Sequence, residues 1–194
     1  MDGPRPTVAL FAKYPRAGAV KTRLAPALGE DGAAELHRWL VERTLATVRA
    51  SGLDHVLYAS GAPLADFAQW LGDEVPFAEQ GEGDLGARLA RVPAPAILLG
   101  ADIPDLTADH LRAAAAALAE APVAIGPAED GGYYLLAFRE PAAFLFEEME
   151  WGVASVRAET ERRLAERSIG WRSLPMLADC DRPEDLARWP ELRA

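Results

Sequence analysis

The feature that most constrains the fold is the alternation of short apolar runs with longer amphipathic segments. The first run, Thr7–Lys13, is apolar on both faces, which is typical of a buried parallel strand. Apolar residues then recur at helical spacing through Glu30–Ala50, and Ser51-Gly52 ends that predicted helix. Because strands and helices continue to alternate, the sequence predicts a three-layer α/β/α fold with a mostly parallel sheet.

The remaining elements follow from the same periodicities. Strands are predicted at His55–Ser60, Val75–Ala78, Ala96–Gly100, Val123–Gly126, Tyr133–Phe138 and Trp171–Leu174, and helices at Leu64–Leu71, after Gly86, after Thr107, at Val153–Arg167 and at Pro183–Ala187. No linker separates these elements, so we expect one domain over residues 1–194. In such sheets ligands bind outside the carboxyl ends of the strands, so the loops there are the candidates for a site.

Charge restricts the partners. The formal net charge is −10, which disfavours general binding to nucleic acid or to anionic membranes. The lone cysteine excludes an internal disulfide, and no apolar run approaches the length of a membrane span or a signal-peptide core. We therefore expect a cytoplasmic protein without a membrane span.

The loop after the first strand concentrates positive charge in this acidic chain. Both lysines of the chain, Lys13 and Lys21, lie here together with Arg16 and Arg23, and Gly18 permits close approach of the backbone. Loop amides and such side chains can hold a diphosphate. The segment is neither a Walker loop nor a Gly-x-Gly-x-x-Gly turn, which disfavours a Rossmann dehydrogenase. The alternative is a solvated loop with surface charges.

Acidic residues follow the later strands. Asp102 comes directly after the predicted Ala96–Gly100 strand, where a carboxylate can hold Mg²⁺ or Mn²⁺ against phosphates. The alternative is turn chemistry, with Asp105 as a helix cap. Glu129-Asp130-Gly131-Gly132 suits a tight turn near a ligand or a plain hairpin. Asp181 fits a capping box or a second metal carboxylate.

Several segments resemble a known family when taken together. They are Phe11-Ala12-Lys13-x-Pro15-x-x-Gly18-x-Val20-Lys21-Thr22-Arg23-Leu24, Gln80-Gly81-x-Gly83-Asp84-Leu85-Gly86, Gly100-Ala101-Asp102-Ile103-Pro104, Gly126 to Leu136, Trp151-Gly152, and Asp179-x-Asp181-x-Pro183-Glu184-Asp185-Leu186. In this order they resemble the bacterial GT-A-type nucleotide-diphospho-sugar transferases labelled arsenosugar-biosynthesis glycosyltransferases or radical-SAM/selenodomain-associated transferases. The resemblance covers nearly the whole chain.

The resemblance implies roles for individual residues. Nucleotide binding would fall to Ala12, Lys13, Gly18, Lys21, Thr22, Arg23, Gln80 and Gly81, with Gln80 and Gly81 near the base. The second substrate would contact Gly131, Gly132, Tyr133 and Trp151. Asp102 and Asp181 would hold the metal, Lys21 and Arg23 would neutralise phosphate charge, and Glu129 or Asp130 would serve as the base.

The implied activity is metal-dependent glycosyl transfer from a nucleotide sugar to a small-molecule acceptor, with Mg²⁺ or Mn²⁺ as cofactor. A single aspartate, Asp102, stands where many glycosyltransferases carry Asp-x-Asp. Nucleotidyl transfer from a nucleoside triphosphate to a phosphorylated small molecule therefore stays open, as does a nucleotide-binding regulator without catalysis.

Overall fold

Seven strands form one sheet in the computed structural model, which describes residues 5–193. The strands are β1 (Thr7–Lys13), β2 (His55–Ser60), β3 (Phe77–Glu79), β4 (Ala96–Leu99), β5 (Val123–Pro127), β6 (Tyr133–Phe138) and β7 (Trp171–Ser173). Their order across the sheet is β3-β2-β1-β4-β6-β5-β7. Only β6 among them runs antiparallel to its neighbours, β4 and β5. The predicted mostly parallel α/β sheet is confirmed.

Helices cover both faces of the sheet. They are α1 (Ala25–Ser51), α2 (Leu64–Leu71), α3 (Leu85–Leu89), α4 (Ala108–Glu120) and α5 (Val156–Glu166), with 3₁₀ turns at Ala143–Leu145, Asp185–Ala187 and Pro190–Arg193. One core joins α1, α2 and α4 to one face of the sheet, and a second core joins α3 and α5 to the other. Alternating residues of β1 divide between these cores, as the apolar run Thr7–Lys13 predicted.

Several element boundaries differ from the sequence prediction: α5 spans Val156–Glu166 rather than Val153–Arg167, and the helix predicted at Pro183–Ala187 is a 3₁₀ turn at Asp185–Ala187. The third strand begins at Phe77 rather than Val75, and α1 begins at Ala25 rather than Glu30. Gly29 interrupts α1 with φ of 73°, so a short first turn precedes the main helix. Proline at the start of that turn suits a helix beginning, because its missing N–H has no intrahelical acceptor there.

Of the two residues that the sequence offers as caps for α4, Thr107 takes the position and Asp105 does not. Helix α4 is preceded by Thr107, whose backbone N–H donates to the His110 ring at 3.1 Å. The Asp105 carboxylate instead accepts from Trp189 Nε1 at 3.1 Å, which ties the C-terminal segment to the end of β4. Local spacing could not show this contact, because its partners lie 84 residues apart.

The topology gathers the loops after β1, β4 and β5 at one edge of the sheet. These three strands run in the same direction. Strand β1 pairs parallel with β4, and β6, which lies between β4 and β5, is antiparallel to both of them. The candidate site residues in these loops therefore lie at the same edge of the sheet. Within residues 5–193, no helix has the length and apolar character needed to cross a bilayer.

Candidate functional site

Lys21, Asp102 and Asp181 meet at the carboxyl edge of the sheet although they come from three separate segments. Lys21 Nζ lies 2.5 Å from Asp102 Oδ1 and 3.6 Å from Asp181 Oδ1. Arg23 Nη1 reaches the other oxygen of Asp181 at 2.7 Å. The two candidate metal carboxylates are thus brought together around one ammonium group.

The backbone holds this arrangement in place. Cys180 N–H donates to the Asp102 carbonyl at 2.8 Å, and the Cys180 carbonyl accepts from Lys21 Nζ at 2.7 Å. Lys21 itself has φ of 46°, a left-handed conformation that costs energy for a residue with a side chain. The strained loop directs the lysine inward, where its side chain is only 4% exposed.

Electrostatics keep both groups charged. Burial by itself would raise the pKa of Asp102, but the charge and hydrogen bond of Lys21 outweigh burial and hold this pKa below its usual value. Burial likewise opposes the charged form of Lys21, yet Asp102 and then Asp181 raise the pKa of this lysine overall. The ammonium is therefore an internal counterion for the carboxylates.

The donor set fits a divalent ion of the Mg²⁺ or Mn²⁺ type. Asp102 and Asp181 supply hard oxygen ligands that already share one cation. In residues 5–193 no group of three or more His, Cys, Asp or Glu side chains forms a complete protein cage. Two carboxylates would suit Mg²⁺, which usually takes one or two carboxylates from the protein and completes its shell with water and substrate phosphates.

The loop after β1 presents backbone amides beside these charges. The N–H groups of Gly18 and Thr22, both exposed residues, donate no hydrogen bond within residues 5–193. Lys13 Nζ donates to the Ala19 carbonyl at 2.9 Å and so braces the loop. The loop is anchored at its base as well, because His37 Nε2 bonds the Lys13 carbonyl at 2.9 Å. Anchored amides of this kind suit an anion.

Gln80 holds the loops together rather than offering a free side chain. Its amide nitrogen donates to the carbonyls of Ala12 and Tyr58, and Arg88 donates to its amide oxygen. The residue is buried, so its side-chain amide has no free position for a nucleotide base. Gly81, by contrast, is exposed and has φ of 76°.

A pocket of about 350 Å³ opens beside the Lys21 cluster. Its lining includes Arg23, Asp102 and Asp181, and it extends past the turn between β5 and β6 toward α5. Four carboxylates line it, while apolar and aromatic side chains form much of the wall: Phe11, Leu85, Leu89, Leu98, Leu99, Ile103, Tyr133, Tyr134, Trp151, Val153 and Val156. This size falls at the lower end of small-molecule sites.

Close contacts at two glycines fix the outer wall of the pocket. A Cβ on Gly86 would lie 2.5 Å from the Phe146 carbonyl oxygen, and one on Gly131 would overlap the Ala154 carbonyl. The segment between these contacts carries Trp151, which stacks on Phe146 with ring centroids 6.4 Å apart. The Trp151 indole nitrogen is buried and has no hydrogen-bond partner in residues 5–193.

Only one of the two candidate bases, Asp130 and Glu129, lines the pocket in the structure. Asp130 lines the pocket, and its carboxylate accepts from the Gly132 N–H at 2.8 Å. Glu129 does not line it and pairs with Arg188 at 2.7 Å. That hydrogen bond lowers the pKa of Glu129, which makes it a weaker base. We therefore retain Asp130 as the candidate base.

The predicted substrate contacts divide in a similar way. Gly132, Tyr133 and Trp151 line the pocket, whereas Gly131 supports the turn from behind, against Ala154. Sequence patterns assigned no role to Asp179, which the structure places in the lining. Burial raises the pKa of Asp179, and the charge of Asp130 raises it further.

The chain is similar to known proteins in both sequence and fold. Residues 44–153 match the family described as "Uncharacterized protein conserved in bacteria (DUF2064)". A crystal structure from Desulfovibrio desulfuricans G20, provisionally named a nucleotide-diphospho-sugar transferase, is 32% identical, with 91% of this chain and 82% of that chain covered and a TM-score of 0.85. No curated protein matches the sequence.

More distant structures share the fold alone. The manganese complex of Rv0371c from Mycobacterium tuberculosis H37Rv is 20% identical, covers 97% of this chain and 99% of that chain, and has a TM-score of 0.58. The 2-C-methyl-D-erythritol 4-phosphate cytidylyltransferase of Thermus thermophilus is 16% identical, covers 98% of this chain and 100% of that chain, and has a TM-score of 0.53.

The Desulfovibrio relative confirms the resemblance to a transferase, and its name does not support the arsenosugar label. The match to the family spans more than half of the chain, and the 32% identical relative covers nearly all of it. The chain therefore belongs to the bacterial family DUF2064 and has the fold of the nucleotide-diphospho-sugar transferases.

Proposed function

We propose that the protein is a metal-dependent glycosyltransferase that uses a nucleotide-diphospho-sugar donor. One observation carries the proposal: Lys21, Arg23, Asp102 and Asp181 converge beside a pocket large enough for a sugar. The provisional name of the Desulfovibrio relative gives the same donor class. Such a site can neutralise a leaving diphosphate, which is the main electrostatic demand of this reaction.

Each charged group has a separate task in this proposal. Asp102 and Asp181 would hold the divalent ion, which when bound would neutralise charge on the leaving diphosphate. Lys21 holds the two carboxylates in register, because its ammonium is enclosed by them and by the Cys180 carbonyl. Arg23, with a side chain 57% exposed, and the free amides of the loop would contact the phosphates.

The pocket would hold the sugar and the acceptor. Asp130 would accept the proton of the attacking hydroxyl, since its carboxylate lines the pocket and forms no ion pair in residues 5–193. Tyr133 and Trp151 would contact the substrate through their rings. These assignments agree with the apolar, aromatic walls typical of small-molecule sites.

Nucleotidyl transfer is the second candidate. The fold also matches a cytidylyltransferase, and Asp102 is followed by Ile103-Pro104 rather than by a second aspartate. In that reaction a substrate phosphate would attack the α-phosphate and pyrophosphate would leave. The same cationic groups would serve, so the product distinguishes the two reactions.

A product assay tests the proposal. The protein is incubated with Mn²⁺ or with EDTA, together with a panel of nucleotide sugars and nucleoside triphosphates, and released nucleoside diphosphate and pyrophosphate are measured. We expect nucleoside diphosphate release that requires Mn²⁺. Pyrophosphate release would favour the second candidate, and ligand-dependent thermal shifts without any product would favour a nucleotide-binding regulator.

A matched pair of variants tests the metal assignment. Asp102→Asn removes the charge but keeps the shape, and we expect a loss of turnover of roughly a hundredfold or more. Asp73→Asn is the control, because Asp73 is exposed in the connection between α2 and β3 and lies outside the pocket lining. Full activity of Asp102→Asn would remove Asp102 from the site.

A further inference from the structure

The pocket lining contains more negatively charged than positively charged side chains. Asp102, Asp130, Asp179 and Asp181 contribute four carboxylates, and Arg23 contributes the one cationic side chain that residues 5–193 place in the lining. A site for two phosphorylated substrates would need cations on both sides of the reacting atoms. Once Asp102 and Asp181 are assigned to the proposed metal ion, Asp130 and Asp179 leave the rest of the lining acidic, which is unfavourable for an acceptor phosphate.

The neighbouring cations do not relieve this imbalance. Arg23 is paired with Asp181 at 2.7 Å, and Lys21 is enclosed by Asp102, Asp181 and the Cys180 carbonyl. In the proposed function, the hydrogen-bond donors of Arg23 that Asp181 leaves free would bind the diphosphate of the donor. Among the described residues of the lining, no cation is left over for a second phosphate.

The two remaining carboxylates are unpaired in the described part of the chain. Neither Asp130 nor Asp179 forms an ion pair within residues 5–193. Asp130 accepts one hydrogen bond, from the Gly132 N–H, which leaves most of its acceptor capacity. Carboxylates with free acceptor positions bind hydroxyl groups well and repel phosphate.

The apolar part of the pocket lining favours a carbon skeleton. Phe11, Leu85, Tyr133 and Val153 belong to it, and Leu85 is 41% exposed despite being apolar. Trp151 also lines the pocket. A lining that combines apolar side chains with unpaired acceptors is complementary to a molecule with both an apolar surface and hydroxyl groups.

We propose that the acceptor carries no phosphate and is an uncharged, hydroxyl-bearing compound whose apolar surface contacts this part of the lining. The inference rests on the proposed glycosyl transfer and names its acceptor class. The acceptor oxygen would form the new bond to the anomeric carbon, and the bond from that carbon to the diphosphate oxygen would break. The electron pair leaves with the nucleoside diphosphate, and the hydroxyl proton passes to Asp130.

Matched ligand pairs test the acceptor class by direct binding. The probes are glucose with glucose 6-phosphate, glycerol with glycerol 3-phosphate, and phenyl glucoside with its 6-phosphate, each titrated by calorimetry into the protein with Mn²⁺. We expect binding of at least one unphosphorylated member and roughly tenfold or weaker binding of its phosphorylated partner. Equal or tighter binding of the phosphorylated members, or no binding by any probe, overturns the inference.

Variants show whether the two carboxylates cause the discrimination. In Asp130→Asn with Asp179→Asn both charges are removed, and asparagine can still accept from the Gly132 N–H. We expect the preference against phosphorylated probes to fall roughly tenfold, while the control Asp73→Asn keeps it. An unchanged preference in the double variant would remove the carboxylates from acceptor selection.

Failure of this inference differs from failure of the proposed function. Donor binding is measured separately, from Mn²⁺-dependent thermal shifts with nucleoside diphosphates and no acceptor present. Donor binding with a preference for phosphorylated probes overturns only the acceptor class. No donor binding overturns the glycosyltransferase proposal itself, whatever the probes do.

Discussion

The two halves of the candidate site are held together by different forces. Around Lys21 the side chains of Asp102 and Asp181 are positioned by ion pairs, with hydrogen bonds to the Cys180 backbone. Around Trp151 the wall is positioned by packing, with contacts at Gly86 and Gly131 that leave no room for a Cβ atom. One half depends on charge and the other on shape.

The difference reflects what each half would have to bind. A diphosphate and its metal ion need charge, and the partly exposed carboxylates of Asp102 and Asp181 can exchange ion-pair partners when such a ligand arrives. A sugar or acceptor needs a fixed wall, and close backbone contacts provide one because they cannot deform cheaply. The stability of the charged half should therefore depend on metal ions and pH. The stability of the packed half should depend on side-chain volume.

The largest expected effect comes from adding volume to the packed half. In Gly131→Ala the new methyl group would overlap the Ala154 carbonyl, and Gly131 has φ of 92°. Overpacking and backbone strain together should lower the free energy of unfolding by about 3 kcal/mol. Urea unfolding monitored by tryptophan fluorescence measures this change.

The control for that prediction is Gly152→Ala. Gly152 also has a positive φ, 77°, but a Cβ there would meet nothing within 4 Å. Strain alone should lower the free energy of unfolding by about 1 kcal/mol. Equal losses in the two variants would show that backbone conformation, rather than contact with Ala154, makes Gly131 necessary.

Removing the internal counterion should be the next largest effect. Lys21→Met leaves Asp102 and Asp181 adjacent without the ammonium between them. Because the Asp102 side chain is 51% exposed and water can reach it, we expect a loss of about 2 kcal/mol of unfolding free energy rather than the full cost of a buried charge.

Mn²⁺ sharpens this prediction. A divalent ion that binds between the carboxylates replaces the missing ammonium, so Mn²⁺ should raise the Tm of Lys21→Met more than that of the wild type. Arg49→Met is the control, since it breaks only a solvent-exposed surface pair with Glu74 and should change stability little. No added response to Mn²⁺ in Lys21→Met would separate the carboxylates from metal binding.

Local sequence patterns determined most of the fold. Strands β1, β2 and β6 and helix α2 have the predicted ends, because apolar runs and flanking glycine or proline define them locally. Helix α1 was predicted too short, since its first turn lies before Gly29, where the helical pattern is interrupted. The direction of β6 followed only from the hairpin interpretation of its preceding turn.

The side-chain partners in the site were less accessible to sequence reasoning. The sequence identified Lys21 and Asp181 as candidate site residues, but their partners lie far away in the chain. Lys21 donates a hydrogen bond to the carbonyl of Cys180, which is 159 residues away in sequence. The same limit hid the pairing of Glu129 with Arg188 and the place of Asp179 in the pocket. The sequence predicted which segments carry clusters of charged residues. Only the tertiary structure shows which of these residues form ion pairs.

Acid should weaken the charged half selectively. The pKa of Asp102 is held below its usual value in the folded protein, so its stabilising charge is complete above the unfolded pKa of about 3.9 and is lost as pH falls through the folded pKa. The stability difference between wild type and Lys21→Met should therefore narrow below about pH 4. Urea unfolding of both proteins from pH 6 to pH 3 measures it, and a constant difference contradicts the pairing.

The smallest expected effect separates binding from stability in the packed half. Trp151→Phe keeps a ring that can stack on Phe146 but removes an indole N–H that has no partner in residues 5–193. Loss of an unsatisfied donor does not destabilise the fold, so the free energy of unfolding should change by less than about 1 kcal/mol. If a ligand oxygen accepts from that N–H, phenyl glucoside should bind roughly fivefold more weakly, as one neutral hydrogen bond is worth. Calorimetry with the variant decides this point, since unchanged affinity would show that Trp151 serves only as a packed wall.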